Sequence, residues 1–90
     1  MFTSCGFETT HSFDPTALSA ALAALDNEAE YGTVLRAKGI VASSDGGEWI
    51  HFDYVPGEVD VRRGAPAVMG RICVIGAGLH EDKIRALFAL

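Results

Sequence analysis

The chain has 90 residues, of which 49% are hydrophobic and 21% charged. That is enough for one globular domain, and it excludes a disordered tail, which needs low hydrophobicity and high charge. Twelve acids against seven Lys and Arg leave a net charge of −5, which argues against a nucleic-acid partner, since such binding needs a basic surface to displace counterions from phosphates. The imbalance is local. Residues 1–35 contain Glu8, Asp14, Asp26, Glu28 and Glu30 but no Lys or Arg, whereas the remainder is balanced.

Phe2 to Phe13 alternates, with Cys5, Phe7, Thr9, His11 and Phe13 on one parity, and reads as a half-buried strand. Asp14-Pro15 then opens a helix, Asp supplying the capping oxygen and Pro occupying the first turn, where its missing N–H costs nothing. Leu18, Ala21, Leu22 and Leu25 recur at helical spacing and form its inward face. Asp26-Asn27 begins the exit and Gly32 closes the connection. The period returns to two from Val34 to Ser43, followed by a hairpin loop at Ser44-Asp45-Gly46-Gly47 and a returning strand from Glu48 to Val55. Pro56-Gly57 fits a type II turn, after which Val59 to Arg63 extends the meander. Gly64-Ala65-Pro66 is a loop, Arg71 to Ile75 a short apolar strand central in the sheet. His80-Glu81-Asp82 introduces a last helix with Ile84, Leu87 and Phe88 on its buried stripe. The predicted fold class is α+β: a two-layer sandwich with a mainly antiparallel, four- to five-stranded sheet and helices on one face.

Parity separates the two faces of the hairpin. Leu35, Ala37, Gly39 and Val41, with Ile50, Phe52 and Tyr54, suit the helix-covered side. The other parity gathers Arg36, Lys38, Trp49, His51 and Asp53. Two cations, an indole, an imidazole and a carboxylate do not make a core, so this face is either solvated or a contact surface. Trp49 has the size and amphipathic character of an interface anchor.

Three stretches together carry a family resemblance: Val34-Leu35-Arg36-Ala37-Lys38-Gly39; Trp49 and Phe52; and Gly70-Arg71-Ile72-Cys73-Val74-Ile75-Gly76 with Leu79. With the Phe-Asp-Pro opening of the first helix they resemble the C-terminal domain of the CobW family, GTP-hydrolysing proteins linked to metal-cofactor delivery and cobalamin synthesis. The match runs from about Phe7 to Phe88, so residues 1–90 are read as a single CobW C-terminal-like domain. The resemblance implies an accessory, non-catalytic interaction domain, and the mixed face of the hairpin supplies its expected contact residues, Arg36, Lys38, Trp49 and His51. Its implied partners are a CobW-like GTPase domain in cis or in trans, a client metalloprotein, or a second copy of the chain.

The chemistry of such GTPases belongs to another domain. The 90 residues contain no Gly-x-x-x-x-Gly-Lys-Ser/Thr phosphate loop and no cysteine-rich motif. Gly76-Ala77-Gly78 lacks the third glycine and the βαβ setting of a dinucleotide fingerprint. No enzyme activity and no catalytic residue are expected in this chain. It is expected to hold no cofactor of its own; GTP and a divalent metal are implied only for the other domain.

Isolated metal donors are Cys5, His11, His51, Asp53, Cys73 and His80. Zinc wants about four convergent ligands, and Cys5 and His11 lie roughly 20 Å apart on an extended strand. No metal site is therefore assigned. The alternative reading keeps the His51/Asp53 pair, which shares one side of a strand: a free-standing small-ligand or metal-binding protein using the Arg36, Lys38, Trp49, His51 and Asp53 face. The two distant cysteines fit reduced thiols in the cytoplasm. The N-terminus has no signal-peptide pattern, and the apolar run from Ala17 to Leu25 is too short for a bilayer, so no membrane partner is expected.

Overall fold

The computed structural model describes residues 1–90. Its elements are β1 (Thr3–Thr9), β2 (Ser12–Phe13), α1 (Pro15–Ala24), α2 (Glu28–Tyr31), β3 (Thr33–Ser43), β4 (Trp49–Val55), β5 (Glu58–Gly64), β6 (Gly70–Ala77) and α3 (Glu81–Leu87). The strands form one sheet in the order β1-β6-β3-β4-β5, antiparallel throughout, with β2 added in parallel to the end of β3. The protein thus has mixed α and β structure, with six strands rather than four to five. The longest helix, α1, has ten residues, and no helix is long and apolar enough to cross a membrane.

The extra strand and an extra helix have local causes. The strand expected from Phe2 to Phe13 breaks after Thr9, whose Oγ1 accepts the His11 amide at 3.0 Å. Thr9 pairs with Gly70, the first residue of β6, so β1 runs out of partner there. Beyond Ile40, β3 has lost β6 as a neighbour too, and Ser12 and Phe13 pair there with Ala42 and Ser43. Helix α2 is a single turn inside the segment read as a connection. Asn27 caps it, its side-chain oxygen accepting the Glu30 amide at 3.3 Å, and Gly32 ends it at φ +86°.

One parity of the strands and the inner faces of two helices share a single core. Phe7, Ala37, Val41, Ile50, Phe52, Tyr54, Ile72 and Val74 are buried together with Leu18, Leu22 and Leu25 and with Ile84 and Phe88. The Asp14 cap is as expected, accepting the Ala17 amide at 2.9 Å. One parity assignment is corrected. Leu35 faces out, 37% exposed, while Val34 is buried, because the β3–β6 register shifts between Val34 and Arg36. The bulge gives β3 one extra residue, which flips the strand's alternation on either side of it.

Strands β3 and β6 meet with almost no space between them at Gly39. A Cβ there would lie 2.6 Å from Phe52 Cζ and closer still to the Arg71 carbonyl. The Phe52 ring therefore covers Gly39 in place of a side chain. Gly6, by contrast, has nothing within 4 Å of a built Cβ. Gly39→Ala is expected to cost about 1–3 kcal/mol, the range for overpacking, and Gly6→Ala to be neutral or slightly stabilising, because Gly weakens a strand interior. Urea unfolding of the two variants tests the contrast.

A polar tie crosses from the end of α1 to the β4–β5 turn. Asp26 Oδ1 accepts both the Tyr54 hydroxyl, at 2.5 Å, and the Gly57 amide, at 3.0 Å. Burial, followed by the Asp26 carboxylate, pushes the Tyr54 hydroxyl up. The Tyr54 bond, followed by the Gly57 amide, holds Asp26 below its ordinary value. The stabilisation from this depressed carboxyl is complete above the unfolded value of about 3.9 and is lost as pH falls through the lower folded value. Tyr54→Phe should lower stability at neutral pH and reduce the loss of stability on acidification below about pH 4. Unfolding curves of both proteins over that range check it.

Candidate functional site

The face of the sheet carrying the other parity has its side chains in rows across the strands. One row runs Glu8, Arg71, Ile40, His51, Arg62; the next runs Gly6, Cys73, Lys38, Asp53, Asp60. A groove of about 800 Å³ follows these rows, walled by the β5–β6 loop through Ala67, Val68 and Met69. Val68 is fully exposed and Met69 is 39% exposed.

The sequence-derived contact residues are divided by this geometry. Lys38 and His51 line the groove. Arg36 stands at its margin and reaches in through Asp53, with Nη2 donating to Oδ1 at 3.2 Å. Trp49 is half-buried at the start of β4, opposite Gly64, and lies outside the groove. The groove residues that escaped the parity argument are Glu8, Arg62, Arg71 and Cys73 on the strands and Ala67, Val68 and Met69 on the loop. Arg62 was within reach, since the two-residue turn at Pro56-Gly57 places it opposite His51. Arg71 and Glu8 arrive only because β6 inserts between β1 and β3, which no local spacing reveals.

The charged groups of this face are mostly paired. Asp53 is held on Oδ1 by Arg36 and on Oδ2 by Arg62 at 3.1 Å, Arg62 also bonds Asp60, and Arg71 bonds Glu8 at 3.1 Å. Partial burial pushes the Asp53 carboxyl up, but the bonds and charges of Arg36 and Arg62 together outweigh it and hold the group below its ordinary value. Lys38 stands beside Asp53 in register and has no carboxylate partner. Of the seven Lys and Arg of the chain, Arg36, Lys38, Arg62 and Arg71 are on this face, against Glu8, Asp53 and Asp60 in the same rows.

His51 acts on the loop. Its Nε2 lies 2.9 Å from the Ala65 carbonyl, to which the Nε2–H tautomer donates. The imidazole covers Gly64, where a Cβ would come within 2.7 Å of Nε2. Asp53 is thus engaged on both carboxylate oxygens, and His51 through Nε2, with its Nδ1 lone pair left open. The remaining donors are scattered. Cys5 is in the core, whereas Cys73 is half-buried on the groove floor rather than in the core. Burial, followed by Glu81, pushes the Cys5 thiol up, away from the thiolate a metal needs. His80 Nδ1 contacts the Glu30 carbonyl at 2.8 Å, tying α3 to α2. No three His, Cys, Asp or Glu side chains converge.

Comparison with known proteins gives this surface a setting. The family model for the cobalamin synthesis protein cobW C-terminal domain matches residues 2–90. The chain belongs to this family. Two solved structures share the fold of this CobW C-terminal domain: a Zn(II)-bound YjiA GTPase from E. coli, with a TM-score of 0.79, and a Zn(II)-bound triple mutant of YjiA GTPase, with 0.80. Each is 24% identical over 98% of this chain, and the chain spans 29% of their length. A comparison with curated proteins returns no match. Two glycines of the stretches that carry the resemblance fall where the sheet is tightest: Gly39 beneath Phe52, and Gly76, where a Cβ would lie 2.8 Å from Leu79 Cδ2 and closer to the Thr33 carbonyl.

His51→Ala removes the side-chain bond to the loop wall while leaving the core residues in place. Amide exchange across residues 65–69 should accelerate, with little change in the global unfolding midpoint. Equal exchange in the variant and the parent would show that the loop is held by other contacts.

Proposed function

We propose that this CobW C-terminal domain is a non-catalytic interaction module that serves a CobW-family GTPase, and that the groove-bearing face is its docking surface. The observation that carries the reading is the face itself. It is a five-strand surface left open beside a fully formed core, with Arg36, Lys38, Arg62 and Arg71 on it although the whole chain is acidic. A GTPase domain in cis or in trans is the partner that family membership favours most directly. The family description names cobalamin synthesis, and we extend this to metal or cobalamin delivery to a client metalloprotein in the cytoplasm. Nucleotide state in the GTPase domain would then act by favouring one arrangement of this face over another.

GTP and divalent metal chemistry are assigned to the GTPase domain, not to this chain. Arg36 and Arg62 set the shape of the surface by clamping Asp53, His51 fixes the loop wall, and Lys38 is free to meet the partner. The small-ligand or metal reading of His51 and Asp53 is less favoured because a ligand on the Asp53 carboxylate would displace its bonds to Arg36 and Arg62.

Binding of the 90-residue chain to a CobW-family GTPase domain, with and without GTP, tests the proposal. Complex formation should depend on the nucleotide and weaken at least about tenfold in Arg36→Glu and Lys38→Glu. Absence of binding in either nucleotide state, or indifference to both substitutions, would remove it.

A further inference from the structure

Direction, charge and apolarity together restrict what fits the groove. Its lining extends from Glu8 on β1 to Arg62 on β5, so it runs across the strands over four inter-strand spacings, about 19 Å. An extended peptide covers that length with about six residues at roughly 3.3 Å each, whereas a compact small molecule would fill only part of it. The lining arginines are spoken for: Arg62 bonds Asp53 and Asp60, and Arg71 bonds Glu8. Lys38 is the lining cation left over, in register between Cys73 and the occupied Asp53. Any partner that covers its ammonium must supply an acceptor, or the buried charge goes unpaired. Val68 projects from the wall with no part of the chain over it, and Met69 is partly uncovered beside it.

We infer that the groove binds an extended acidic-apolar peptide segment laid across the strands, with a carboxylate on Lys38 and aliphatic side chains against Val68 and Met69. The inference rests on the reading of this face as a docking surface and names the chemistry of the segment that docks. A basic segment meets the unpaired ammonium of Lys38 and is repelled there. A nucleic-acid strand presents several phosphates, for which the groove lining offers one unpaired cation, Lys38.

In an extended segment alternate residues face the same way, so the probe is acetyl-Ser-Leu-Ser-Glu-Ser-Val-Ser-amide, with versions carrying Lys or Gln in place of Glu. Titration into the isotope-labelled 90-residue chain should give saturable amide shifts confined to the groove rows and residues 65–69. Affinity should fall at least about tenfold for the Lys peptide and about fivefold in Lys38→Ala and in Val68→Ser. Both positions are exposed, so the variants keep the core. No saturable shift at millimolar peptide, equal affinity for the three peptides, unchanged affinity in both variants, or shifts mapping elsewhere would each overturn the inference. The GTPase-domain experiment separates the two readings. If that domain binds through Lys38 while the peptides fail, only the peptide inference falls. If the peptides bind as described and the domain does not, the docking partner assigned above is the part that is wrong.

Discussion

The close approach of β3 and β6 is the contact on which the other elements depend. β3 is bounded by β6 on one side and β4 on the other, and its far end takes β2. Two glycines make the approach possible, Gly39 under the Phe52 ring and Gly76 against the Thr33 carbonyl. With this register set, Ala37 and Val41 enter the core beside Ile72 and Val74. The same register puts Lys38 between Cys73 and Asp53, and Ile40 between Arg71 and His51. Core and groove are therefore two consequences of one alignment, and a slip of one residue would exchange them.

The open face shows how a total charge can hide a local one. The chain carries −5 overall, yet the acids of residues 1–35 lie largely away from the groove: Asp14 caps α1, Asp26 ties Tyr54 and Gly57, and Glu30 meets Lys83. Arg63 and Asp45 pair with each other beside the β3–β4 loop. What remains on the groove rows is a set of arginines neutralised by their neighbours and one lysine that is not. Exposed pairs of this kind contribute little stability. Their effect is to fix where carboxylates and guanidinium groups stand.

Much of this architecture was legible because the signals were local and redundant. The Asp14-Pro15 cap, the leucine stripe of α1, the Pro56-Gly57 turn and the alternation of β4 each specify an element within a few residues. Lys38 and His51 followed from that alternation. The misses have physical reasons. Leu35 suits either face, so nothing in its chemistry marked the extra residue that turns it outward. Helix α2 is one turn long, too short to show a period. Trp49 keeps the parity of His51 but lies beyond the groove, because alternation gives a face without saying how far along it a pocket reaches. Glu8 and Arg71 are 63 positions apart, and only the placement of β6 brings them to one site.

The order of the strands also has a consequence for biosynthesis. The last strand made, β6, lies between the first, β1, and the long β3. Until residue 77 has left the ribosome, β1 has no hydrogen-bonding neighbour and β3 shows an unpaired edge. The nascent chain then has the meander of β3, β4 and β5, with β2 on the end of β3, but lacks the strand that joins β1 to it, a state prone to pairing with other chains. Closure comes late and ties β1 to the meander, since one strand completes the ladder on each of its sides. A chain stopped short of Gly70 would lose the keystone of the sheet, not merely its rim.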